Sequence, residues 1–255
     1  MCEFMKSNLF RIIGLLALHF LVAASVQAAV VSSGTRFVYV STAKEVSIHL
    51  TNAGEQPALV QAWLDNGDST VSPENIKVPF LLSPSLARID PGKGQTLRLI
   101  HTGEALPQDR ESIYWLNIYE VAPKANLPAD ANTLQFAVRT RLKVFYRPAT
   151  LKDEISKMGA KLQWKSDGDS QGLKYTVSNP TPYYISIGDV RLQSQGVSVS
   201  KPLFTMVAPN ATQSLTFLPA ESADKSAKAT DVRYVVIDDL GATSEAGFNF
   251  TAGKK

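Results

Sequence analysis

What the chain has little of narrows its chemistry. It carries one cysteine, Cys2, and three histidines in 255 residues. With no cysteine after position 2, a disulfide framework, a thiol nucleophile and a soft-metal site are excluded from everything downstream. Cys2 also precedes the first apolar run, so it is not placed as a lipid-bearing cysteine after a leader. Stability must then come from burial, which cores of about 100–120 residues can supply without staples. His49 and His101 lie inside strand-like patterns with no partner near in sequence, and read as ordinary strand residues rather than a base or metal ligands. There is no HExxH, nucleophile elbow or P-loop, and Gly92-Lys93-Gly94 follows a proline turn without the third glycine of a phosphate cradle. Asp65, Asp68, Asp167 and Asp169 lack the glutamate-terminated loop of an EF-hand and read as turn residues. Asn210-Ala211-Thr212 fits a glycosylation acceptor, a pattern common by chance. No catalytic residue, metal site or cofactor is expected.

Long hydrophobic runs are also scarce. The one at Ile12–Ala24 follows Lys6 and Arg11 and precedes Val26-Gln27-Ala28, a small-residue cleavage site. Residues 1–28 therefore read as a secretory signal peptide, too short in its apolar part for a span and without a stop-transfer pattern. Removing 28 of 255 residues leaves 227, with no membrane insertion expected. Lys6, Arg11 and Glu3 leave with the leader, so the formal net charge falls from +3 to +2. That balance is too weak to argue for nucleic acid as a partner.

What is present is β-structure. Short β-branched and aromatic runs alternate with Gly, Pro, Asn and Asp clusters. Strands are expected at Arg36–Val40, Glu45–Thr51, Ala58–Asp65, Phe80–Ser83, Ala87–Ile89, Gln95–His101, Ser112–Val121 and Leu134–Arg147. That number of short strands suits an immunoglobulin-like sandwich. Pro148 cannot donate to a ladder and opens a linker, Pro148–Lys152. A second set follows at Lys161–Lys165, Leu173–Ser178, Tyr183–Leu192, Gln213–Phe217, Arg233–Asp238 and Phe248–Thr251. The expected organisation is a leader at 1–28, a first domain at 29–147, a linker at 148–152 and a second β-sandwich at 153–255.

The stretch Leu134–Arg147 stands out. Leu134, Phe136, Val138, Leu142, Val144 and Tyr146 share one face; Gln135, Arg139, Arg141, Lys143 and Arg147 share the other. Fourteen residues at about 3.3 Å each span roughly 46 Å, against about 17–20 Å for an ordinary strand. One small sandwich does not bury such a length, so part of the apolar face awaits another partner.

Four segments carry a resemblance. Leu106-Pro-Gln-Asp-Arg-Glu-Ser112 with Tyr114-Trp-Leu-Asn117, Leu142-Lys-Val-Phe-Tyr-Arg-Pro148, Asn179-Pro-Thr-Pro-Tyr-Tyr184 and Ile237-Asp-Asp-Leu-Gly241 are similar to the PapD-like periplasmic pilus chaperones of the chaperone–usher pathway. The resemblance runs from about Val30 to Gly253. It implies two immunoglobulin-like β-sandwiches at an angle with a cleft between them, and a non-enzymatic chaperone in the periplasm that binds, folds and caps pilus subunits and delivers them to an outer-membrane usher.

By position, the resemblance makes Arg36 and Lys143 the anchor for a subunit's terminal carboxylate, although from the residues alone both read as solvated face charges. It makes Leu134, Phe136 and Val138 the strand segment lent to an incomplete subunit, whereas residues alone also allow a core role. It makes Glu111, Arg147 and Asp239 a charged trio between the domains, with Asp238 adjacent and less well matched. Only Val121–Thr133 separate Glu120 from Leu134, similar to the short-loop group that assembles rod-shaped pili. A self-capped oligomer of the free chaperone stays open. A pilus subunit would be one incomplete sandwich, often with a disulfide, and a glycoside hydrolase would need a placed carboxylate pair; neither pattern is present.

Overall fold

A computed structural model describes residues 29–121, 123, 136–167, 173–194, 197–217 and 230–250. In the first half the strands are β1 (Val30–Ser32), β2 (Arg36–Val40), β3 (Val46–Asn52), β4 (Ala58–Asp65), β5 (Phe80–Ser83), β6 (Leu86–Ile89), β7 (Gly94–His101), β8 (Ser112–Val121) and β9 (Ala137–Arg147). They form two sheets, β1-β3-β7-β5 and β2-β9-β8-β4-β6. Alternation explains how the sheets close on each other. Ile48 and Leu50 from β3, Leu97 and Leu99 from β7, Leu116 and Ile118 from β8, and Leu142, Val144 and Tyr146 from β9 all fall in one buried cluster. Tyr39 stacks on Tyr146 with ring centroids 6.2 Å apart, and its hydroxyl donates to the carbonyl oxygen of Ala43 at 2.9 Å.

The second half contains α1 (Ile155–Gly159) and β10 (Gln163–Ser166), β11 (Leu173–Ser178), β12 (Ile185–Ser194), β13 (Val197–Val207), β14 (Thr212–Phe217), β15 (Asp231–Ile237) and β16 (Thr243–Asn249). Its sheets are β10-β11-β14 and β13-β12-β15-β16, around a separate cluster that includes Trp164, Tyr175, Phe217 and Tyr234. The fold is two-domain and nearly all β. Among the described residues, no helix is long and apolar enough to cross a membrane.

Buried asparagines tie the turns. The Asn52 side chain donates to the carbonyls of Gln56 and Ile89, both at 2.8 Å, while its oxygen accepts from Gly54 N at 2.9 Å. Asn179 does the same in the second domain, donating to Tyr183 O and Val207 O and accepting from Thr181 N and Oγ1. Satisfied amides of this kind give loops a single conformation despite burial. The Asn179–Tyr184 segment is therefore a structural knot.

Several expectations need correction. β9 begins at Ala137; Phe136 precedes it, 62% exposed, and Leu134 lies outside the described residues. β1, β13 and α1 lie outside the expected strands, and the last strand starts at Thr243, five residues before the expected Phe248. β13 is an edge strand, where a proline is tolerated, but Pro202 in the middle of the run counts against a strand when the sequence is read alone.

α1 packs against β15 at its last residue. A Cβ built on Gly159 would meet both methyl carbons of Val236 at 2.6 Å, and Tyr234 Oη donates to Gly159 O at 2.9 Å. Both sides are buried. Gly159→Ala should therefore cost about 1–3 kcal/mol by overpacking. A denaturant titration of the variant should show an earlier unfolding transition for the second domain.

Candidate functional site

β2 runs parallel to β9, but only from Arg36↔Lys143 to Val40↔Arg147. From Ala137 to Leu142, β9 has β8 on one side and no strand on the other among the described residues. The uncovered stretch ends where β2 begins, at the paired residues Arg36 and Lys143. In-register parallel neighbours project side chains to the same face, so the two cations stand beside each other.

Arg36 Nη1 donates to the carbonyl of Ile237 at 3.1 Å, reaching into the second domain. Its Nε is buried without a partner. Lys143 Nζ donates to the buried Ser186 hydroxyl at 3.3 Å, again across the junction. Among the described residues, neither cation is in an ion pair. Burial, and then repulsion from Arg36, lower Lys143 to about 8. Burial also lowers Arg36, against the pull of Asp239 and Asp238. Two half-buried cations with spare donors and no carboxylate in contact suit an incoming anion, whose oxygens would gain charge-assisted hydrogen bonds.

The cationic face continues along β9. Arg141 lies 4.8 Å over the Trp115 ring and Arg139 5.0 Å over the Trp63 ring; Lys143 lies 5.9 Å from Trp115. Beneath them Asp65, fully buried, accepts from Arg141 Nη2 at 2.6 Å and from Asn117 Nδ2 at 2.7 Å. Asp65 also accepts from Gly67 N at 2.8 Å, the turn role expected of it. Local spacing reveals only that turn. The partners, Asn117, Arg139 and Arg141, come from strands 50 to 80 residues later, and strand spacing alone does not join them.

Glu111, Arg147 and Asp239 meet. Arg147 Nε donates to Glu111 Oε1 at 2.7 Å, and its Nη1 and Nη2 donate to the two Asp239 oxygens at 2.7 and 2.8 Å. Glu111 Oε2 accepts from Tyr184 N at 2.8 Å, and Glu111 N donates to Pro182 O at 2.9 Å. The turn tied by Asn179 thus presents its backbone to the first domain. Burial raises Glu111 above the usual carboxylate value despite Arg147. Burial alone would lower Arg147, but the hydrogen bonds to Asp239 and the charge of Glu111 reverse that and raise it. Phe145, an apolar residue on the otherwise basic face of β9, is 3% exposed and sits 6.0 Å from the Tyr184 ring. Alternation in the sequence does not reveal it, because Lys143 and Arg147 flank it on that face.

Of the residues expected to be lent to a subunit, Val138 is half-buried and pairs with Glu120 of β8, Phe136 is exposed just ahead of β9, and Leu134 is not described. His101 sits among Phe80, Tyr39 and Tyr146, while His49 Nδ1 lies 2.9 Å from Thr96 Oγ1 at the surface. Among the described residues no group of three or more His, Cys, Asp or Glu is arranged to hold a metal.

Residues 29–152 match the family described as "Pili and flagellar-assembly chaperone, PapD N-terminal domain", and residues 157–248 match "Pili assembly chaperone PapD, C-terminal domain". The chaperone protein FimB/FhaD of Bordetella pertussis is 38% identical over 226 residues, covering 87% of this chain and 88% of the relative. The probable fimbrial chaperone YadV of Escherichia coli is 39% identical over 219 residues, covering 85% and 87%. The crystal structure of YadV superposes with a TM-score of 0.73 at 36% identity, covering 88% of this chain and all of that one. A structure of the Salmonella enterica SafA pilin in complex with the SafB chaperone matches with a TM-score of 0.72 at 27% identity, covering 89% and 99%. Both domains, the sandwich architecture and four-fifths or more of each relative's length are accounted for, and the chain belongs to the PapD family of pilus-assembly chaperones, which are not enzymes.

Proposed function

We propose that this protein is a periplasmic chaperone that captures pilus subunits on the open edge of β9 and passes them to an outer-membrane usher. The observation that carries the reading is the edge itself: six residues, Ala137 to Leu142, paired with β8 on one side only and ending at two cations that, among the described residues, have no carboxylate in contact. A subunit strand added there would supply the missing backbone partners, and its terminal carboxylate would meet Arg36 and Lys143. A strand whose C-terminus sits at Arg36 must run toward the start of β2, and so parallel to β9. Val138 and Phe136, with Leu134 upstream, would offer apolar side chains to the subunit's core; each buried large one contributes roughly 1.5–3 kcal/mol. The complex of a related chaperone with a pilin supports subunits as partners. The leader read at residues 1–28 supports export. Without a subunit, an open edge invites pairing with a second copy, which would cap it.

The trio at Arg147 holds the two domains in one orientation, and we place the boundary between them within Pro148–Lys152. Leu151 already packs against the second cluster, while Ala149 N donates to Ser41 Oγ in the first domain at 2.9 Å. The short connection between Glu120 and Leu134 fits chaperones of rod-type pili.

Three outcomes follow. Lys143→Ala or Arg36→Ala should leave the fold intact and weaken subunit binding about ten- to hundredfold, the loss of a charge-assisted contact of about 1.5–3 kcal/mol. Recovery of subunit with either variant at the wild-type level, in periplasmic co-purification, would sink the anchor. A bound carboxylate raises the Lys143 value above its free value of about 8. Affinity should then be full below pH 8 and fall by up to about tenfold per pH unit above it, until the bound-state value is reached; titration calorimetry across pH 7–10 reads this, and a flat profile contradicts it. Arg147→Ala strands Glu111, 2% exposed, without its cation. It should destabilise by about 3–5 kcal/mol and broaden the distribution of domain orientations in solution scattering.

A further inference from the structure

Three carboxylates are buried among the described residues: Asp65, Glu111 and Glu120. Arg141 neutralises the first and Arg147 the second. No ion pair among the described residues includes Glu120. It is on β8, flanked by Val60 and Val138 of the neighbouring strands, on the face that packs into the core. Leaving a carboxylate there without a cation is costly, because burial removes its hydration and supplies no counter-charge.

Both Glu120 oxygens are nevertheless used. Oε1 accepts from Ala29 N at 3.1 Å and Oε2 from Val30 N at 2.9 Å. Ala29 is held in place from its other side. Its carbonyl accepts from Ala53 N at 2.7 Å, and a Cβ on Gly54 would meet Ala29 Cβ at 2.6 Å. Val30 is 6% exposed and opens β1, which pairs with β3 in the opposite sheet. Glu120 thus joins the two sheets of the first domain through the backbone of Ala29 and Val30.

Ala29 is also the residue that follows the Val26-Gln27-Ala28 cleavage pattern. We propose that the chain is cut between Ala28 and Ala29, and that the new ammonium group of Ala29 is the cation that Glu120 is built to hold. The step is hydrolysis by a leader-cleaving peptidase. The bond between Ala28 C and Ala29 N breaks, water's oxygen ends in the Ala28 carboxylate, and the amine carries protons. An α-amino group has an ordinary value of about 7.7–8.0, so it is largely protonated at neutral pH. Cleavage then turns an amide–carboxylate hydrogen bond into a buried ion pair, and β1 is held more strongly in the processed chain. The recess is specific for an N-terminus at one position. A chain beginning one residue earlier presents an uncharged amide to Glu120, and one beginning at Val30 loses a hydrogen bond.

The test compares mature chains released from a fusion by a site-specific protease, one starting at Ala29 and one with Gly-Ser ahead of it, each with Glu120 and with Glu120→Gln. The extension should lower the thermal midpoint by a few degrees when Glu120 is present and leave it unchanged in the Gln background. An equal lowering in both backgrounds, or no lowering with Glu120, overturns the pair. If Glu120→Gln does not fold, NMR titration of the α-amino group in the unextended wild-type chain decides: a value raised above the ordinary one supports the pair, and an unshifted or lowered one rejects it. Mass spectrometry of the chain recovered from periplasm should show Ala29 as its first residue; any other start contradicts the assignment.

Discussion

The site depends on where one parallel pairing stops. β2 covers five residues of β9 and then ends at Arg36, opposite Lys143. Were β2 longer toward its N-terminus, it would satisfy the β9 edge, and the two cations would lie mid-strand instead of at the end of an open edge. Because it is short, the unpaired backbone and the uncompensated charge coincide at one corner of the domain. Neither alone is unusual. Open edges are generally blunted by charge, twist or cover, and surface cations are generally solvated. Here the charges lie at the end of the edge, where they do not block a strand from pairing along it.

The electrostatics of the first domain follow a simple rule. Each buried carboxylate holds something in place, and each is matched by donors from a distant part of the chain. Asp65 sets two arginines over tryptophan rings, and Glu111 receives Arg147 together with the backbone of the second domain. The cations at Arg36 and Lys143 break this pattern by having no anionic contact among the described residues. Removing two charges from water without pairing them is unfavourable, as the lowered Lys143 value records. A charged group left uncompensated in an otherwise balanced fold is a place where an added counter-charge would gain free energy.

Much of this was legible from residue patterns, and the remainder has identifiable reasons. The alternation in β9 reports the core face correctly at Leu142, Val144 and Tyr146, because these residues pack into the first-domain cluster and a one-residue slip would expose all three. Phe145 escaped because its partner, Tyr184, belongs to the other domain. β13 escaped because Pro202 interrupts its run, which only an edge strand tolerates. The Asp65 network could not be read from local spacing at all, since its members are neighbours only through strand register. Glu111, Arg147 and Asp239 are likewise remote in sequence, and it was likeness to a family rather than periodicity that grouped them.

The fixed corner at Arg36 and Lys143 has a consequence for anything that docks along β9. Side chains on a strand alternate with a period of two, so a strand held by its last atom is read by parity. Residues an even number of steps from the end face one way, and odd ones the other. Adding a single residue at that end would exchange every inward side chain for an outward one, whereas adding two would merely shift the whole set along by one pleat. A strand clamped along its middle would impose no such rule.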